Sequence, residues 1–138
     1  MREILFRGKT KDGVWYHGFI KGKSLPNFQG NKLEFTHCII EQPYADIWVI
    51  PETVGQYTGL IDKNGKKIFE GDIVTVEGFV EIAFIVIYYN GGFKLKEIGS
   101  EDLFAYYITE TMCEEELIEI IGNVHENPDL MKGGGDNA

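Results

Sequence analysis

Five side chains could ligate a soft metal or carry nucleophilic chemistry: His17, His37, Cys38, Cys113 and His125. Their spacing supports neither role. His37 and Cys38 are adjacent, so on a strand they point to opposite faces and could not readily share an ion, and no pair has the short separation of a zinc site. The two cysteines form no CxxC pair and are too few for a disulfide framework, so buried, inert thiols are expected. Cys113 precedes Glu114, Glu115 and Glu116, whose charge should raise its pKa and keep it protonated. Acids are plentiful enough for a glycosidase-type pair, but sequence spacing says nothing about their separation in space. Gly91-Gly92 and Gly133-Gly134-Gly135 lack the lysine and following helix of a phosphate loop. No catalytic, cofactor or metal residues are therefore assigned, and a non-enzymatic protein is expected.

The charge is more informative. The chain has 22 acids against 13 bases, a net charge of −9. Residues 97–126 hold nine acids (Glu97, Glu101, Asp102, Glu110, Glu114, Glu115, Glu116, Glu119, Glu126) and no Lys or Arg, while the other 108 residues balance at 13 of each sign. A run of this kind either solvates a face or steers a basic partner. Glu101, Asp102, Glu114, Glu115, Glu116 and Glu119 are the candidate partner surface. The same run argues against nucleic-acid binding, which needs cations to displace counterions from phosphates. Arg2 and Arg7 are the only arginines, so bidentate phosphate or guanine recognition has few donors. Lys94 and Lys96 are the only bases between Asp72 and Glu126, too few to stabilise a phosphodiester transition state well. An RNA-binding or RNA-cleaving barrel ranks second, and an acidic DNA mimic that inhibits a host enzyme third.

The elements that position these residues read as short strands. At 138 residues and 43% hydrophobic, with 9 Phe, 7 Tyr and 2 Trp, the chain can bury a core as one domain or as two small ones sharing it. No apolar run spans a bilayer, and the start of the chain lacks a signal-peptide core, so a cytoplasmic location with no membrane partner is expected. Residues 4–8 and 14–20 form a hairpin around Asp12-Gly13. Residues 21–31, rich in Gly, Ser, Asn and Pro, read as a surface loop. Residues 35–41 and 47–50 are strands around a Gln42-Pro43 turn, and Asn64-Gly65 marks another tight turn. Residues 73–76 form a strand closed by Glu77-Gly78. Residues 79–89 read as one long strand with a bend or bulge. Asn90-Gly91-Gly92 turns into a half-exposed strand, 93–98, with Phe93, Leu95 and Glu97 on one face and the lysines on the other. Residues 103–109 are a further strand candidate. Thr111 could cap a helical start before a strand at about 117–124, and Asn127-Pro128 opens a short terminal helix before a fraying tail. The result is a mainly β, antiparallel protein with little helix, in which residues 67–124 could close a small five-stranded barrel.

Three blocks in this order resemble the YopX family of phage and prophage proteins: Gln56-Tyr57-Thr58-Gly59-Leu60, then Asp62-Lys63-Asn64-Gly65-Lys66-Lys67-Ile68-Phe69-Glu70-Gly71-Asp72-Ile73-Val74, and Ile121-Gly122-Asn123-Val124-His125-Glu126-Asn127-Pro128. The opening Met1-Arg2-Glu3-Ile4-Leu5-Phe6-Arg7 fits as well. The resemblance implies a phage-encoded accessory protein made in a bacterial cytoplasm, with an SH3-like barrel in its C-terminal half; from the acidic segment, its expected partner is a host or phage protein. The implied organisation is an N-terminal β subdomain (1–60), the barrel (61–127) and a short helix with a flexible tail (128–138). No catalytic residues come with the family. Its motif residues read as structural: Gly59, Gly65, Gly71 and Gly122 suit turns or bulges, and Asn64 and Asp72 suit local side-chain bonds to backbone. Tyr88-Tyr89 and Tyr106-Tyr107 should each place one ring outside the core, where tyrosine favours protein contacts, a homo-oligomer among them.

Overall fold

In the computed structural model, which describes residues 3–26, 33–42, 45–100 and 105–132, with backbone alone for 21–26, 33–39 and 41–42, Asp12-Gly13 makes the expected first turn. Gly13 takes φ +86°, and β1 (Phe6–Lys9) pairs antiparallel with β2 (Trp15–Pro26) from Lys9↔Trp15 to Phe6↔Gly18. β3 (Leu33–Gln42) pairs along β2, and β4 (Ala45–Val49) along β3. A 3₁₀ turn, Pro51–Thr53, leads into β5 (Gly55–Ile61), whose first residues pair with β1 at Phe6↔Gln56 and Arg7↔Gly55. The chain divides into two compact units, Met1–Tyr57 and Thr58–Ala138, with the boundary inside β5. In the first unit Ile40 and Val49 are buried, and a Cβ on Gly8 would lie 2.7 Å from Val49 Cγ2. Glycine is needed at position 8 so that the strands can approach. Thr53 locks the 3₁₀ turn to β1, its Oγ1 accepting from Lys9 N at 2.9 Å and donating to Ile50 O at 2.6 Å.

The second unit takes the end of β5, β6 (Lys67–Phe69), and a five-stranded sheet in the order β10-β9-β8-β7-β11. Its strands are β7 (Asp72–Val76), β8 (Ala83–Tyr89), β9 (Gly92–Glu97), β10 (Ala105–Tyr107) and β11 (Ile118–Asn123). A short helix, α1 (Glu110–Glu114), connects β10 to β11. Registers Val74↔Phe84, Val86↔Leu95 and Ile118↔Val76 put alternate residues of four strands on one face. With Ile68, these residues make the buried core. Complete burial of each such side chain is worth about 1.5–3 kcal/mol. The mainly β, antiparallel fold with little helix is as expected, but the barrel is not closed. First strand pairs with last, β7 with β11, yet among the described residues β10 forms no ladder with β11.

Several local expectations are corrected. Residues 21–26 continue β2 as strand, because pairing with β3 from Lys21↔Ile39 to Pro26↔Leu33 overrides a turn-prone composition. Residues 55–61 add a strand to those expected, held by pairing with β1. The long strand at 79–89 begins only at Ala83: β7 ends at Val76 and the Thr75↔Ala83 pair leaves 77–82 to make the hairpin connection, with Gly78 at φ +97° and Glu81 at φ +61°. The helix starts one half-turn earlier than expected. Thr109, not Thr111, is its N-cap, with Oγ1 accepting from Met112 N at 3.2 Å. The short terminal helix does open at Pro128, but as a 3₁₀ helix over Pro128–Lys132. Pro43, Glu101, Asp102, Phe104 and residues 133–138 lie outside the described residues. Among the described residues, no helix is long and apolar enough to cross a membrane.

Candidate functional site

The family-like blocks are built around carboxylates and amides that bond to backbone. Asp62, 3% exposed, accepts from Asn64 N and Lys66 N at 2.9 Å through Oδ1 and from Ile120 N at 3.1 Å through Oδ2. It closes the Asn64-Gly65 turn and joins that turn to β11. Burial by itself would raise its pKa, but the backbone donations from Ile120, Lys66 and Asn64, with the Lys66 charge, hold it below the ordinary carboxylate value. Asp72, 2% exposed, accepts from Phe69 N at 2.8 Å. Asn123 Oδ1 accepts from His125 N and Glu126 N, while Asn127 Oδ1 accepts from Asn123 N. Asn127 thus turns back to β11 and does not cap the segment after it. Gly122 serves this loop by its small size, since an added Cβ would lie 2.8 Å from Asn127 Cγ. Thr58 Oγ1 donates to Ile68 O at 2.9 Å, tying β5 to β6. Gln56 pairs opposite Phe6, and Tyr57 is buried. These residues hold register, Gly59, Gly65 and Gly71 at positive φ among them.

The acidic segment is different, because its side chains reach solvent. Glu110 sits in the first turn of α1, where its charge favours the helix dipole. Glu114 and Glu115 fall at the opposite end, where carboxylates oppose the dipole. Glu116 follows at φ +57°. Its N–H donates to Cys113 O and that of Leu117 to Met112 O, both at 3.0 Å, the left-handed helix stop normally given to glycine. Glu114, Glu115 and Glu116 are all exposed. Glu119 stands apart from them, paired with Lys63 at 2.9 Å, an ion pair that raises the lysine's pKa. Glu110 and Glu114 border a 410 Å³ groove whose other lining is Gly59, Leu60, Ile61 and Cys113. Cys113 is half-buried, and its thiol is pushed up first by burial and then by Asp62, not by the neighbouring glutamates. Among the described residues, no group of three or more His, Cys, Asp or Glu could hold a metal. The side chains of His37 and Cys38 lie outside that description.

Aromatic rings form the second exposed feature. Tyr88, Tyr89, Tyr106 and Tyr107 are 44–64% exposed, so both rings of each pair reach solvent, not one of each. Tyr106 packs edge-on against Phe84 at 6.2 Å and touches Phe79 at 6.4 Å, and Tyr88 packs on Phe93 at 5.2 Å. Tyr89 and Tyr107 flank the ammonium of Lys94 at 5.4 and 4.6 Å. That lysine was expected on the open face of β9, yet it is 7% exposed. The cross-strand neighbours Ile87 and Tyr107 supply apolar surface for its stem.

The family model described as YopX protein matches residues 6–132. Among solved structures, the protein EF1440 from Enterococcus faecalis is similar to this chain at a TM-score of 0.54 and 22% identity, over 95% of this chain and 99% of that one. That likeness shows the fold. No curated protein matches the chain.

Proposed function

The chain belongs to the YopX family, and from that premise we propose that it is a non-enzymatic accessory protein, encoded by a phage or prophage, that binds a basic segment of a host or phage protein. One observation carries this reading: three consecutive exposed glutamates sit at a helix end where the helix dipole and the backbone conformation run against them. Two oppose the helix dipole and the third takes a conformation that favours glycine. Departures from local rules concentrate at functional positions. The adjoining groove has the chemistry of a lysine or arginine subsite. Leu60 and Ile61 offer apolar wall to a long stem, and Glu110 and Glu114 offer carboxylates to its charged head. The raised pKa of Cys113 makes it a poor nucleophile.

The test is titration with an oligolysine peptide and an oligoglutamine control, for the native chain and for the triple variant E114Q/E115Q/E116Q. Saturable binding of oligolysine is expected, weakened at least about tenfold in the variant and at about 0.5 M salt, where the screening length falls to near 4 Å. Equal binding by the native and triple-variant chains, or no binding at low salt, would overturn the proposal.

A further inference from the structure

Lys94 is the only lysine or arginine among the buried residues described, at 7% exposed. Burying a cation ordinarily requires a carboxylate partner. None is supplied among the described residues. Among the described residues, the contacts of its ammonium are the faces of Tyr107 and Tyr89, at 4.6 and 5.4 Å, with no hydrogen bond or ion pair. The following segment, 97–126, carries nine acids, yet none of its described carboxylates pairs with this lysine. Tyr89 and Tyr107 are 48% and 64% exposed, so the two rings that flank the ammonium also border solvent. The ammonium is therefore nearly enclosed by rings that themselves border solvent, which thin its hydration and strengthen its attraction for a negative group that reaches it beside them.

We propose that Lys94, Tyr89 and Tyr107 form a binding site for a single oxyanion, a carboxylate or a phosphate group. The ligand is one small group and not a polyanion. A chain of net charge −9 repels extended negative charge, whereas a lone oxyanion is drawn by the local contact. Lysine acts as a point charge, so the site accepts either geometry and lacks the bidentate preference of arginine. The site is separate from the acidic surface: it uses none of Glu114, Glu115 or Glu116.

The experiment is NMR titration of the full chain with acetate, inorganic phosphate and a short peptide containing one glutamate, with sodium chloride as ionic-strength control. Saturable shifts of the Tyr89 and Tyr107 ring resonances are expected. Acetate, phosphate and peptide arms separate a free ion from a peptide side chain as the better ligand. In Lys94→Met, which keeps the apolar stem, affinity should fall at least about tenfold, and Lys94→Arg should restore it. E114Q/E115Q/E116Q should bind the anion as well as or better than the native chain, so failure of this site and failure of the basic-partner reading are distinguishable. If Lys94→Met does not fold, Tyr107→Ala decides, because loss of a wall rehydrates the ammonium and should weaken binding at least about threefold. Shifts no larger than those from chloride, or equal affinity in the deciding variant, would refute the site.

Discussion

Replacing Asp62 by alanine should unfold the second unit far more readily than its single carboxylate suggests. The side chain accepts three backbone N–H groups at 2.9, 2.9 and 3.1 Å, one of them 58 residues away on β11. Hydrogen bonds to a charged group are each worth about 1.5–3 kcal/mol net. Water can replace the two at the turn more easily than the one at Ile120, so a combined loss of about 3 kcal/mol is expected. For a unit of this size that is a fall of about 15 °C in Tm. Asp62→Asn keeps one carbonyl acceptor and should lose about half as much. The pH dependence has a definite sign: the folded pKa lies below the unfolded one. The stabilisation is therefore fully present above the ordinary aspartate value of about 3.9 and is lost as pH falls through the folded value. Asp62→Asn should lack this contribution to acid destabilisation. Both tryptophans, Trp15 and Trp48, lie in the first unit, so the assay is urea denaturation followed by tyrosine near-UV dichroism, with tryptophan fluorescence reporting the other unit. A loss below about 1 kcal/mol in Asp62→Ala, or an acid-limb slope in Asp62→Asn equal to the native one, would refute the reasoning.

Other perturbations follow from the same contacts. Gly122→Ala drives a methyl into the Asn127 amide and should cost about 2 kcal/mol, read as a lower urea midpoint with loss of the Asn123 amide's exchange protection. Glu116→Gly relieves a left-handed glutamate at φ +57° and should stabilise the second unit by about 0.5–1 kcal/mol, raising that midpoint, while weakening oligolysine binding. Cys113 should alkylate more slowly than an unfolded cysteine at pH 8, since its pKa is raised. Site-resolved mass spectrometry should find part of that protection removed in Asp62→Asn, because the Asp62 charge is its second cause.

What could be read locally was what depends on one or two adjacent residues. Asn90-Gly91 makes the expected tight turn because both residues reach positive φ, 50° and 81°, which matches the twist of β8 and β9. Asp12-Gly13 likewise sets the first hairpin. Where pairing competes with propensity, local reading fails: residues 21–26 become strand because β3 lies alongside, and 79–82 become a connection because register at Thr75↔Ala83 leaves no alternative. The Asp62 bracket had no local signal for its most distant bond, since Ile120 lies 58 positions on. Lys94 is buried although alternation puts it on the open face of β9, because alternation assigns a face but not what covers it.

By itself the sequence determined the fold class, the tight turns at Asp12-Gly13, Asn64-Gly65 and Asn90-Gly91, the family resemblance and the concentration of negative charge in 97–126. These follow from composition, from backbone freedom at single residues and from the order of motifs. Only the tertiary structure decided which acids stand fully exposed, Glu114 to Glu116, which is half-exposed and ion-paired, Glu119, and which are internal fasteners, Asp62 and Asp72. It alone set Lys94 between two tyrosines. Carboxylates and ammonium groups are chemically alike wherever they occur in a sequence, and their roles are set by burial and by donors or rings brought in from distant strands.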